Sequence, residues 1–189
     1  MAQKRKDWNG LISGFKASDL VFLDESGCNT DMTRRYAYSL GGSRAVDSAP
    51  LSKPKNTTIL SSIQLDGTLR YTTFSGGTTV ERFKRYLETD LLPHLNGNSV
   101  LIMDNMKSHH AKAVKNLLDS SEIRYIYLPP YSPDLNPIEK LWSKVKSFLR
   151  KFKARTLDAL PNAIQCAFQT VSPSDCSGWF HSCGYSPYF

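Results

Sequence analysis

Two short apolar runs, Leu20-Val21-Phe22-Leu23 and Ser99 to Met103, each stop on an aspartate, Asp24 and Asp104. Such runs, bounded by turn residues, are the signature of strands buried on both faces. A carboxylate at the carboxyl end of a buried strand lies where an open α/β sheet places its chemistry. Glu25 is the alternative to Asp24 should the strand register turn it inward.

The rest of the chain supplies partners for those strands. Residues 1–17 read as an amphipathic lead-in with Trp8, Leu11, Ile12 and Phe15 at helical spacing. Residues 28–55 turn polar and read as a long, partly ordered loop with a short strand over 36–40; Arg34, Arg35 and Arg44 suit either a nucleic-acid contact or simple solvation. Thr57 to Leu65 and Leu69 to Phe74 flank Asp66-Gly67-Thr68, a hairpin signal. Thr78 to Leu95 is a helix capped by Thr78 or Thr79 and ended or kinked by Pro93; Ala111 to Leu118 is another. Ile123 to Leu128 is a strand and Thr156 to Val171 a last helix, and 172–189 reads as an irregular tail packed on the domain. A hairpin beside alternating helices and strands argues for a mixed central sheet with helices on both faces, in one domain over 18–171.

Between the last strand and its helix lie Pro129, Pro130, Pro133 and Pro137, each of which fixes φ. Asn136 is placed to cap the helix, with Pro137 at its first position and Glu139 at its third. On local grounds alone, Asn136 and Glu139 form a capping box. Ile138, Leu141, Val145, Phe148 and Phe152 form the apolar stripe. At about 100° per residue, Trp142, Lys146, Arg150 and Lys153 share the azimuth of Glu139. Trp142 reads as core packing rather than a base-stacking platform.

Length and charge bound the partners. At 189 residues, 40% of them hydrophobic, the chain has enough apolar mass for a core. A net charge of +7 favours a polyanion. No segment has the apolar length needed to span a membrane. The cysteines, Cys28, Cys166, Cys176 and Cys183, match no common zinc spacing even with His181 among them, and read as free thiols of a reducing cytoplasm.

Asp24, Asp104 and Glu139, brought together, would repel by several kcal/mol at about 4 Å unless cations neutralise them or some stay protonated. Oxygen ligands of this kind suit two Mg²⁺ or Mn²⁺ ions, a clamp for displacement at phosphorus. Lys146, Arg150 and Lys153 would hold phosphates alongside. Asn105 and His109 follow Asp104 closely, and a helix-start His of no catalytic role fits His109. Asp134, in a Ser-Pro-Asp turn, is the nearest rival acid and reads as structural.

Phe-Leu-Asp24-Glu-Ser-Gly, Ile-Met-Asp104-Asn and Leu-Pro-Pro-Tyr-Ser-Pro-Asp-Leu-Asn-Pro-Ile-Glu139 resemble the catalytic triad of DDE transposases, mariner-like superfamily, bacterial insertion-sequence branch. Thirty-four residues separate Asp104 from Glu139, as in that superfamily. The resemblance reaches Trp142, Trp179-Phe180 and Cys183-Gly184-Tyr185. It implies a ribonuclease H-like fold shared with retroviral integrases. It implies Mg²⁺-dependent cleavage at element ends, then strand transfer to target DNA, and a homodimer. It also implies that residues such as Asn105 and His109 support the acids or touch a phosphate; for His109 this and the helix-start reading fit equally well. The loop over 28–55 resembles an insertion that contacts the partner subunit or the DNA. Family members carry an N-terminal helix-turn-helix region that reads the element ends. Few residues precede Asp24 here, so that half is expected from an upstream frame or is lost. Two other readings stay open: a ribonuclease H-like nuclease of different substrate, and a non-catalytic DNA-binding remnant.

Overall fold

The protein is described by a computed structural model over residues 2–34, 36–48, 50 and 54–185. Five strands form one sheet in the order β3-β2-β1-β4-β5: β1 Leu20–Cys28, β2 Thr57–Gln64, β3 Leu69–Ser75, β4 Val100–Met103 and β5 Arg124–Tyr127. β1, β2 and β3 pair antiparallel, whereas β4 and β5 run parallel to β1. Among the described residues six α-helices accompany the sheet: α1 Ala2–Ile12, α2 Val80–Tyr86, α3 Lys112–Ser120, α4 Ile138–Phe152, α5 Ala159–Gln169 and α6 Pro173–Ser182.

The alternation of side chains along β1 divides the core in two. Leu20 and Phe22 face α1, α4, α5 and α6, where Trp8, Leu141, Val145, Ile164 and Phe180 are buried. Val21 and Leu23 face α2 and α3, against Phe83, Tyr86, Val114 and Leu118. Helices therefore cover both faces of a mixed sheet, as the order of elements implies.

Several local expectations are corrected. β1 does not stop at Asp24. It runs on to Cys28 because β2 continues the antiparallel ladder, with Asp24 opposite Ser61 and Cys28 opposite Thr57. The parallel register with β4 ends at Leu23 opposite Met103, so Asp24 and Asp104 leave the shared ladder at one level. No strand forms over 36–40; a tight turn at Leu40–Gly42 interrupts the loop, and Tyr36, Tyr38, Leu40 and Val46 are exposed.

The helix after β3 begins where Thr79 accepts from the Arg82 amide. It widens over Leu87–Leu91 and tightens again around Pro93, which has no amide proton to continue the ladder. The stripe of α4 is rotated from its expected position. Trp142 and Leu149 are buried with Ile138, Leu141 and Val145, while Phe148 is half-buried and Phe152 exposed. Both choices satisfy helical spacing, and the sheet selects between them.

Within the expected irregular tail, Pro173–Ser182 forms helix α6, and 186–189 lie outside the described residues. Ser172 and Asp175 form a reciprocal capping box around Pro173, a start signal legible in Ser-Pro-Ser-Asp. α6 packs against the β2–β3 turn, where Gly67 has φ +92° and a Cβ would lie 3.0 Å from Pro173. A side chain at that turn is excluded on both counts.

Candidate active site

The three acids line one cleft of about 430 Å³, with Asn105, Met106, Asn136 and the loop Leu128 to Pro133. The sheet fixes two of them and α4 the third. Asp24 is 8% exposed. Its Oδ1 accepts from the Glu25 amide at 2.8 Å and its Oδ2 from Trp142 Nε1–H at 3.1 Å. Burial, with Glu25 and Glu139 nearby, outweighs those hydrogen bonds and pushes the Asp24 carboxyl up to about 7.

Asp104 lies in the opposite regime. Burial alone would raise it, but hydrogen bonds from His109 and the Met106 amide hold its carboxyl below the ordinary range. His109 Nδ1 is 2.9 Å from Asp104 Oδ1, and the Met106 amide donates to the same oxygen at 2.9 Å. The imidazole loses solvation on burial, yet two carboxylate partners, Asp104 and Glu25, push it up to about 10, so it is a cation at neutral pH. The other expected support, Asn105, donates its side-chain amide to the Leu128 carbonyl and ties the end of β4 to the proline loop.

Glu139 is exposed at the start of α4. The capping box expected of it does not form. The helix begins at Ile138 with no side-chain cap, and the first turn closes by backbone bonds from Glu139 to Asn136 and from Lys140 to Pro137. Asn136 is buried and its Oδ1 has no hydrogen-bond partner. Glu139 is thus free of the structural duty that local sequence assigns it. In the same loop Tyr131 has φ +56°, a region that costs an aromatic residue strain, and its ring is exposed at the cleft.

Carboxylates that border one cleft repel. Two features offset this: the Asp24 carboxyl, raised to about 7 by burial, and the His109 imidazolium between Glu25 and Asp104. Among the described residues, no three His, Cys, Asp or Glu side chains converge as a metal-binding group. The donor chemistry nevertheless fits a hard divalent cation: three carboxylates and a buried, unpartnered amide oxygen border one cleft.

The basic residues divide. Lys146 and Arg150 open on a polar pocket of about 350 Å³ beside Gly27, Cys28 and Asp31 at the end of β1. Lys153 is turned away to Asp47, at 2.6 and 2.7 Å. Arg34 and Arg44 are exposed on the inserted loop, and Arg35 lies outside the described residues. Asp134 occupies the exposed turn Pro133–Leu135. His110 stacks on Tyr127.

Sequence reasoning missed the hydrogen bond of Trp142. Its azimuth beside Glu139 was the available signal, because it aims the indole at the acids. In Trp142→Phe the ring volume stays and the donor goes. The Asp24 carboxyl is then expected to titrate about one pH unit higher, the scale of a hydrogen bond to a charged group. A ¹³C carboxyl titration reads this, and an unmoved midpoint would show that the indole does not stabilise the carboxylate.

Comparison with known proteins bears on the fold and the family. The family of the DDE superfamily endonucleases matches residues 19–161. The transposable element Tc1 transposase of Caenorhabditis elegans is 27% identical over 97 residues, 49% of this chain and 36% of that protein. The Mos1 transposase in a pre-cleavage transpososome superposes with TM-score 0.82 at 19% identity, covering 97% of this chain and 59% of that chain. The isolated catalytic domain of Mos1 mariner transposase gives 0.73 at 17% identity, over 96% of this chain and 86% of that one. The chain thus spans little more than a third of Tc1 transposase and about three-fifths of the Mos1 chain. The fold is ribonuclease H-like, and the chain belongs to the DDE superfamily of endonucleases.

Proposed function

We propose that residues 18–171 are the catalytic domain of a transposase that cleaves DNA at the ends of a mobile element and joins them to target DNA. The observation that carries this reading is that Asp24, Asp104 and Glu139, from three separate segments, border one cleft where β1 and β4 part. Neighbouring structures support it: a Mos1 strand transfer complex, and the Mos1 catalytic domain with Mg.

The three acids, with the Asn136 amide oxygen beside them, would hold two Mg²⁺ or Mn²⁺ ions. When bound, such ions activate the attacking oxygen and stabilise the leaving one. Asp24 gives up its proton on loading, so affinity should rise with pH through about 7. Trp142 orients the Asp24 carboxylate and His109 that of Asp104. Lys146 and Arg150 carry phosphates past the end of β1. The Pro-Pro-Tyr-Ser-Pro string supports the bacterial insertion-sequence branch, and with it action on cytoplasmic DNA. The exposed Tyr36, Tyr38, Leu40 and Val46 support a homodimer joined through the inserted loop.

Nicking of supercoiled and linear duplex DNA tests this, with Mg²⁺ or Mn²⁺ and with chelator. Nicking by the wild type that stops with chelator and in Glu139→Gln is the expected result. Equal nicking by Glu139→Gln would overturn it. An RNA–DNA hybrid in the same panel, if cleaved in preference to duplex DNA, would favour another ribonuclease H-like nuclease.

A further inference from the structure

β1 carries two adjacent acids, and the pleat sends them to opposite faces. Asp24 meets Trp142 under α4. Glu25 enters the α2–α3 side, where its Oε1 is 3.1 Å from His109 Nε2. The other ring nitrogen of His109 is 2.9 Å from Asp104 Oδ1. Both nitrogens face carboxylate oxygens, so both carry protons and both donate.

The imidazole has little freedom to leave this arrangement. It is 0% exposed and its ring stacks on Phe83, with centroids 4.2 Å apart at 24°. The Tyr127 hydroxyl donates to the His109 carbonyl at 3.1 Å, which holds the backbone of the same residue. The Glu25 side chain is 7% exposed, and its second oxygen, Oε2, is buried without a partner. Nothing in the hydrogen bonding of Glu25 except His109 accounts for a carboxylate at this depth.

We propose that Glu25 is a positioning residue for the cleft. It fixes His109, and His109 with the Met106 amide occupies Asp104 Oδ1, so that Oδ2 is the oxygen left to a ligand. The two neighbouring acids of β1 thus serve one site from opposite faces of the sheet, Asp24 directly and Glu25 through an imidazole. This inference rests on the proposed role of Asp104.

The test compares Glu25→Gln, which keeps an acceptor for His109, with Glu25→Leu, which removes it. Three quantities are read: the ¹³C shift of the Asp104 carboxyl in metal-free protein, the Mn²⁺ affinity by calorimetry, and DNA nicking. In Glu25→Leu the Asp104 resonance is expected to move, and Mn²⁺ affinity to fall about 10- to 100-fold, the range for partners that orient a ligand. Glu25→Gln should keep the Asp104 shift and stay within a few-fold of the wild type. If Glu25→Leu does not fold, a moved Asp104 resonance in Glu25→Gln together with unchanged Mn²⁺ affinity overturns the proposal. So does an unmoved Asp104 resonance in Glu25→Leu, whatever the DNA result. A moved resonance in a protein whose wild type neither binds Mn²⁺ nor nicks DNA would sink the proposed function and leave the positioning intact.

Discussion

Asp24→Asn is expected to abolish strand cleavage and to raise the melting temperature at pH 8. The two effects have one cause. The carboxyl is 8% exposed, and burial with two acids nearby lifts it from 3.8 to about 7. A folded-state pKa above the unfolded one means that ionisation opposes folding. The penalty is absent below about 4, grows as pH rises, and is complete above about 7. Its full size is of order 4 kcal/mol. Asn removes the charge but keeps a single acceptor, so one of the two donors, the Glu25 amide or the Trp142 indole, faces an NH₂ group. A net gain of about 2 kcal/mol is expected, roughly 4–8 °C for a chain of this size. At pH 4, where the ionisation penalty is nearly gone, the lost acceptor is no longer offset, and Asp24→Asn should melt a few degrees below the wild type. Cleavage should fall at least about a thousandfold, the upper scale for losing one preorganised electrostatic group. Melting curves at pH 4 and pH 8 in chelator, beside the nicking assay, decide it. A lower melting temperature at pH 8 would show that the site does not strain the fold.

Phe22→Ala should cost about 3–5 kcal/mol, enough to lower the melting temperature by roughly 10 °C or more. Phe22 is 0% exposed on β1, the central strand of the sheet. Its ring meets Phe180 edge-on at 5.3 Å and Tyr185 at 5.0 Å. The loss would reach the cleft, because the Tyr185 hydroxyl donates to the Leu135 carbonyl at 2.6 Å, in the loop that carries Glu139. Trp8 donates to the same hydroxyl at 3.2 Å. Urea unfolding measures the cost, and an unchanged midpoint would mean that the C-terminal helix does not share the main core.

The frame was legible where one residue type forces one outcome. Apolar runs gave β1 and β4, Asp-Gly gave the hairpin, and Pro93 marked the disturbed end of its helix. Asp24, Asp104 and Glu139 border one cleft because the β1–β4 ladder ends at Leu23 and Met103, although β1 itself runs on past Asp24. What could not be read depended on a partner distant in sequence. β1 continues past Asp24 because of β2, and α4 buries Leu149 rather than Phe152 because of the sheet beneath it. Asn136 has the chemistry of a cap but its Oδ1 bonds to nothing, since the loop geometry puts Pro137 in the capping place. His109 was a choice between two even readings until Glu25, 84 residues earlier, supplied its second partner.

The inserted loop is fastened to the far end of α4. Arg155 donates to the Thr30 and Met32 carbonyls, and Lys153, in a left-handed conformation at the helix end, holds Asp47. The helix between is a rod about 22 Å long, rising 1.5 Å per residue, and Glu139 stands at its opposite end. The inserted loop and the mouth of the cleft thus hang on opposite ends of one helix, so cutting the Lys153 and Arg155 contacts would free the loop without removing a single group that lines the cleft.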